Sequence, residues 1–304
     1  GTDSQWYNSG NLYVGVVGSG VLDVKGKGMV SSVASHIGYH DGSMGNTTIT
    51  GTGTQWINSG DLNVGVAGDG VMNIKEGALA SNSNGRIGYH SSAMGQVTVA
   101  GADSWWNNSG RMVVGRSGNG VLIVEASGVV SNGLGIIGRY SSSTGAVTVT
   151  GTNSQWNNSA ALYVGWYGDG VLELEEGSVV SNASGFIGRY AESTGVVTVT
   201  GADSQWRNSN SLYIGGGTLA AGGYGILNIN DSARVIVSNS TKIWSTGTVN
   251  LNGGILDAGT LDLAEGVFDM LDGHLHADGV IGDLDVHGGV VAPGNSSSMT
   301  SISG

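Results

Sequence analysis

The chain has no cysteine and a single proline among its 304 residues. Without Cys, disulfides, thiolate nucleophiles and thiolate metal ligands are excluded. One Pro against 57 Gly, with no three-residue Gly period, excludes a collagen-like helix. Positive charge is also scarce: 11 Lys and Arg face 23 Asp and Glu, a formal net charge of -12. Binding nucleic acid or an anionic membrane by counterion release needs Lys and Arg, so neither is expected as a partner. Long apolar runs are missing. Leu, Ile and Val come in short alternating segments far below the length of a membrane span, so direct membrane insertion of this segment is not expected. Helical i, i+3, i+4 periodicity is never sustained, which argues against helices.

What the chain does have is repetition. QWYNS at 5–9 returns as QWINS at 55–59, WWNNS at 105–109, QWNNS at 155–159 and QWRNS at 205–209. The indoles of Trp6, Trp56, Trp106, Trp156 and Trp206 are therefore spaced by 50 residues. Gly15, Gly65, Gly115 and Gly165 align without gaps, as do Ile37, Ile87, Ile137 and Ile187. A fifth copy, from Gly201, is irregular, with extra residues around 215–225.

Each unit divides again. Both halves run through the same order of three short apolar segments. The Asn position then becomes a longer series: Asn8, Ser32, Asn58, Asn82, Asn108, Asn132, Asn158, Asn182, Asn208 and Asn239. The structural period is thus about 25 residues. Segments such as LYVG and VTVT alternate apolar with variable residues and favour β-branched types, which reads as strand. Three short strands per period, separated by Gly, Asn and Ser turns, describe one coil of a parallel β-helix.

Stacking then dictates roles. Leu12, Val14, Leu22, Val24, Val30, Ile37, Thr47 and Ile49 are expected to point inward. Trp residues two coils apart cannot touch, since neighbouring coils lie ~4.8 Å apart. Val30, Ala80, Val130 and Val180 are expected to fill the intervening layers, giving a Trp–aliphatic–Trp column. Burying one indole contributes roughly 4–6 kcal/mol gross by area. The Asn series should form an amide ladder, and Gly15, Gly38, Gly65 and Gly88 should turn with positive φ. Residues 1–252 are read as five double-coil repeats. Residues 253–304, rich in Asp and holding Pro293, are read as coils of a different type. The chain begins inside a repeat and is read as a piece of something longer.

Catalytic patterns are thin. No G-x-S-x-G elbow in a strand–turn–helix setting exists. Asp257, Asp262, Asp269, Asp272, Asp278, Asp283 and Asp285, with His274, His276 and His287, could furnish paired carboxylates for a polysaccharide-active enzyme. Their alternation with Leu, Val and Ile equally fits a solvated strand face. His274 and His276 share a face but have no convincing third metal ligand. Asp69 and Asp169 in Gly-Asp-Gly turns are replaced by Ser and Asn in other copies, which favours turn chemistry over calcium. No metal and no cofactor is expected, and no enzyme activity.

Exposed ladders are the better candidates. Thr48, Thr98, Thr148 and Thr198 mark a polar strip. Tyr39, His40, Tyr89, His90, Arg139, Tyr140, Arg189 and Tyr190 make an aromatic and basic stripe suited to glycan stacking or protein contact, though such residues also simply cover turns. Trp105, Arg111, Arg116, Trp166 and Tyr167 break the pattern and are further contact candidates.

The repeat GADSQWNNSG-x-LYVG, followed by VVSN, IGRY and STGAVTVTG segments, resembles that of bacterial autotransporter (type V secretion) passenger domains. The segment 289–302, GGVVAPGNSSSMTSI, is similar to the APGNS-type sequence near the end of such passengers, departing from the more usual GNSIGTLTV. The resemblance implies a right-handed parallel β-helix at the bacterial surface, secreted across the outer membrane. It also implies an adhesin acting by side-by-side self-association between cells, in aggregation or biofilm, or by binding host glycan or matrix protein. An inert stalk for an upstream module is the other structural reading.

Overall fold

A computed structural model describes residues 1–293. The 294–302 portion of the APGNS-like segment lies outside the described residues. The chain is an all-β, right-handed parallel solenoid in which every named strand pairs in parallel with the equivalent strand one coil away. The first coil contributes Gln5–Tyr7, Leu12–Val14 and Ser19–Lys25, the second Met29–Ser32, Ser35–Ile37 and Met44–Thr50. Each triplet turns two corners, so the solenoid has three walls, called first, second and third after the order of strands within a coil.

Register on the first wall places Trp6 beside Val30, Val30 beside Trp56, Trp56 beside Ala80 and Ala80 beside Trp106. The alternation continues through Val130, Trp156, Val180 and Trp206. Trp56, Trp106, Trp156 and Trp206 are fully buried. Trp6, in the first described coil, differs: it is 48% exposed. Leu12, Val14, Val24, Val30, Ile37, Thr47 and Ile49 are buried and Leu22 packs against the core partly exposed.

The amide ladder and the indole column form one network. Trp106 Nε1 donates to Asn82 Oδ1 at 2.7 Å, and Asn82 Nδ2 donates to Asn108 Oδ1 at 2.6 Å. The same pair of bonds recurs at Trp156, Asn132 and Asn158, and at Trp206, Asn182 and Asn208. Each indole thus leans on the coil before it, where space has been cleared. A Cβ on Gly85 would stand 2.9 Å from Trp106 Cζ2 and collide with Asn108 Oδ1; Gly135 faces Trp156 and Asn158 in the same way, and Gly185 faces Trp206 and Asn208. Large coils carrying Trp and Leu, or Met112 in the third unit, alternate with small ones carrying Ala or Val and Gly, and this volume alternation is why the sequence repeats every two coils.

The first unit departs from the rule and shows its cost. Ser32 and Ser35 stand where later units have Asn and Gly. Their hydroxyls donate to Asn58 Oδ1 at 2.6 and 2.5 Å, while Trp56 Nε1 and Asn58 Nδ2 are left without partners. Asn8, at the start, is half-exposed and accepts from Gly10 N of its own turn. At the other end Asn239 is not part of the ladder. The chain shifts register between Val237 and Ser240, so Val237 takes the inward place beside Asn208. Asn239 is pushed outward and bonds Asn210.

Gly15, Gly38, Gly65 and Gly88 adopt φ of 73°, 67°, 71° and 69° at the corner between second and third walls. A side chain there would strike the backbone of a neighbouring coil, Met44 in the case of Gly15. The stack runs on without a break past residue 252, as Val235 pairs with Leu256, Leu256 with Leu275 and Leu275 with Val291. Strands there lengthen to Gly247–Ala264 and Val267–Ile281.

Candidate functional site

Thr48, Thr98, Thr148 and Thr198 stand on the outer side of the third wall, each one coil from an unlike residue. Asp23, Asn73, Ile123 and Glu173 occupy the same position in the alternate coils. The strip is therefore mixed, not a continuous run of hydroxyls.

The second wall is different. Its central outward position runs Tyr13, His36, Asn63, Arg86, Val113, Ile136, Tyr163, Phe186 and Tyr213 in register. The corner that follows each turn glycine carries a second file. Tyr39, Tyr89, Arg139 and Arg189 donate backbone N–H to the glycine of the preceding coil, and Val66, Arg116 and Trp166 fill the alternate coils in the same way. His40, His90, Tyr140 and Tyr190 come next along the chain. The stripe residues are thereby brought onto one face of the solenoid, together with Arg111, Arg116, Trp166 and Tyr167.

At the N-terminal end of this face, Tyr13 stacks on His36 (5.0 Å, 23°) and meets Tyr39 edge-on (4.8 Å, 84°). Tyr89 meets His90 edge-on at 4.7 Å. A shallow hollow of ≈ 650 Å³ is lined by His36, Tyr39, Asp61, Asn63, Arg86 and Tyr89 among others. Arg86 pairs with Asp61 there. Burial favours a protonated Asp61, but hydrogen bonds from Asn84 and Arg86 and the Arg86 charge outweigh it and hold the carboxyl below its usual range. Burial pushes the His36 imidazole below its ordinary value, opposed by Asp61 and assisted by Arg86. The neutral ring fits its surroundings: Asn63 Nδ2 sits 3.2 Å from His36 Nδ1, which can accept only when unprotonated.

In the middle, guanidiniums lie on rings. Arg116 stands 4.1 Å from the Tyr89 centroid and 5.2 Å from that of Tyr140, and Arg139 4.9 Å from Tyr140. Burial, with a smaller push from the charges of Arg116, Arg111 and Arg86 against an opposing effect of Tyr140, lowers the pKa of Arg139. Toward the C-terminal side the rings close into stacks. Tyr163, Phe186 and Tyr213 stack at 4.6 Å and 5.0 Å. Trp166 lies 4.4 Å from Tyr163, and Tyr167 lies on Tyr190 at 4.2 Å and 3°. Arg189 covers Phe186 and Tyr190. Burial raises the Tyr163 phenol, with Arg189 working against it.

Tyr163, Phe186 and Tyr213 were missing from the stripe read in the sequence. The signal is in the chain, two residues before each corner glycine in LYVG, GFIG and LYIG. It emerges only when both halves of each unit are aligned. Trp105, by contrast, stands alone on the first wall, 45% exposed, with Nε1 donating to Ser131 Oγ.

The C-terminal acids are largely engaged with basic neighbours. Asp257 is held by Arg234 and by His276 Nδ1 at 2.7 Å, in a hollow of ≈ 500 Å³ that also includes Ser238 and Asp278. Asp262 pairs with Lys242 at 2.8 Å, and His287 lies 3.5 Å from Asp269 and 3.9 Å from Asp285. His274 and His276 sit 6.1 Å apart between ring centroids. Among the described residues no group of three or more His, Asp or Glu could hold a metal ion. No helix among them is long and apolar enough to cross a membrane, which says nothing of a β-barrel.

No protein-family model matches the chain, and no curated protein matches it significantly. Among solved structures it is similar to the crystal structure of a TibC-catalysed hyper-glycosylated TibA55-350 fragment, at 14% identity and a TM-score of 0.37. That alignment covers 94% of this chain and 100% of the other. At so low a similarity the architecture rests on this chain's own strand pairing, and the reading of its surface on its own side chains.

Proposed function

We propose that the chain is a non-enzymatic adhesin solenoid of the autotransporter passenger type, displayed at a bacterial surface. It holds cells to one another, or to host glycan or matrix protein, through its exposed faces. The observation that carries this reading is the aromatic and guanidinium ladder of the second wall. From Arg86 to Tyr213 every coil sets a ring or a planar cation on this face, a surface suited to multivalent contact. A catalytic site would need convergent groups in a concave pocket. Here the side chains with contact chemistry are spread along an axis instead. Expressing the chain as a surface display on a non-aggregating bacterium tests the proposal. Settling of the culture or attachment to glycan-coated or matrix-coated plates is expected. Neither settling nor attachment would overturn it.

One observation favours a second reading, a polysaccharide-active enzyme. Arg234, Asp257 and His276 converge in the C-terminal hollow, and an imidazole oriented by a carboxylate can move a proton. Turnover of a neutral or acidic glycan, abolished by Asp257→Asn with folding intact, would establish it over the first.

A further inference from the structure

Six of the 11 Lys and Arg residues of this acidic chain stand on the second wall or its corner: Arg86, Arg111, Arg116, Arg139, Arg189 and Lys242. Two have carboxylate partners, Arg86 with Asp61 and Lys242 with Asp262. Among the described residues, Arg111, Arg116, Arg139 and Arg189 form no ion pair. Surface charge normally disperses where it can, since like charges repel. Gathering unpaired guanidiniums on one face makes it a local concentration of positive charge on a protein whose net charge is -12.

The geometry narrows the anion. Arg116 and Arg139 come from adjacent coils and lie over Tyr89 and Tyr140. Arg116 Nη1 donates to Tyr89 O at 3.2 Å, which holds that guanidinium in place and leaves its other N–H donors for a ligand. Trp166 and Tyr167 one coil further on, and Tyr190 in the coil after that, offer an aromatic surface, with Tyr167 45% and Tyr140 38% exposed. Beyond that the irregular fifth repeat closes the face. Its 216–223 loop folds back through a Gly216–Ala221 bridge and lies against the Arg189 guanidinium at Gly217. Trp244 Nε1 anchors it by donating to Gly217 O at 2.7 Å, and Leu219 projects from it, 92% exposed. The platform is therefore bounded at one end by a wall and open at the other.

We propose that this platform, from Tyr89 to the 216–223 loop, binds an anionic glycan, with aromatic faces taking sugar rings and Arg116 and Arg139 taking their carboxylate or sulfate groups. The proposal rests on the adhesin reading and gives it a ligand class. Sugar C–H faces pack on aromatic rings while acidic substituents at the ring edge reach bidentate guanidiniums. Single-stranded nucleic acid is the competing polyanion, but its phosphate backbone needs a continuous positive groove to track. Four unpaired arginines on a chain of net charge -12 do not make one.

The test uses the full chain with four probes: polygalacturonate for carboxylate, heparin for sulfate, dextran as neutral glycan and oligo-dT as nucleic acid. Binding to polygalacturonate or heparin, but not dextran, is expected, and which of the two binds identifies the acidic group. The double change Arg116→Gln, Arg139→Gln should weaken it at least tenfold, as should Trp166→Ala. Glu173→Gln on the third wall should leave it unchanged, and added salt should weaken the parent. Melting temperatures of the variants separate loss of site from loss of fold; the arginine pair is superficial, so its variant tests the site even if Trp166→Ala fails to fold. No acidic-glycan binding, binding unaffected by the arginine changes, or binding of oligo-dT in preference to both glycans would each overturn the proposal. Displayed cells that attach while the purified chain ignores acidic glycans would sink this inference and leave the adhesin reading standing. Glycan binding by a chain whose displayed cells neither settle nor attach would do the reverse.

Discussion

The first-wall column solves one packing problem in two ways. From Trp56 to Trp206 it alternates indoles with small aliphatics and ties each buried indole N–H, apart from that of Trp56, to an amide. From Val235 onward the same positions carry Val235, Leu256, Leu275 and Val291, and the amide positions carry Val237, Ala258 and Ala277. One region uses volume plus a polar network, the other aliphatic packing alone. At the seam between them Asn208 Nδ2 is unpartnered, whereas Asn108 Nδ2 and Asn158 Nδ2 donate to the Ser131 and Ser181 carbonyls at 3.4 and 3.3 Å. Indole and amide are thus a couple: either alone leaves a buried polar atom unsatisfied.

The sharpest test compares equivalent positions. Trp156→Ala is expected to cost ~3–5 kcal/mol, more than Leu256→Ala, because it opens a larger cavity and also orphans Asn132 Oδ1. Urea midpoints, with hydrogen exchange to localise the loosened coils, check this. An equal or smaller loss at Trp156 would break the comparison. Next, Asn132→Val imports the C-terminal solution without its partner and should cost about 1–3 kcal/mol by stranding Trp156 Nε1. Adding Trp156→Leu should make the pair non-additive by about 1 kcal/mol or more, since the N–H that needed Asn132 is gone. Strict additivity would show that the couple is not one.

A smaller gain is available in the first unit. Thr47 is buried with Oγ1 unsatisfied, in a position that is Val97, Val147 and Val197 in the later units. Thr47→Val should stabilise by about 1 kcal/mol, read as a higher melting temperature. A lower one would mean the hydroxyl has a partner after all. The smallest effect concerns pH. His36 and Asp61 both have folded-state pKa values below their unfolded ones. The unfolded chain therefore binds protons first, and stability is lost as pH falls: through His36 from about pH 6.5 downward, and through Asp61 only below about pH 4. His36→Asn should flatten the upper part of that decline. An unchanged pH profile would remove His36 as its source.

Much of this was legible in the chain. Period, strand type, inward positions and the placement of turn glycines all follow from local alternation, because a solenoid coil pairs with sequence neighbours about one period away. Asn239 was misplaced for a physical reason. Counting along the chain assumes constant register, and the bulge at 238–239 breaks it. The stripe was found in part: Tyr39, Tyr89, Arg139 and Arg189 share a phase in the 50-residue unit, whereas Tyr163 and Phe186 come from opposite halves and meet only across coils.

Sequence alone determined that this chain coils, how long each coil is and which residues face in, since those are properties of spacing. Tertiary structure decided that each indole leans on the coil before it, that Gly85 and its equivalents make room for it, and that rings and guanidiniums from different half-repeats form one face. Such facts depend on side-chain direction and on the volume left by a neighbour in the next layer, and neither is written in a period.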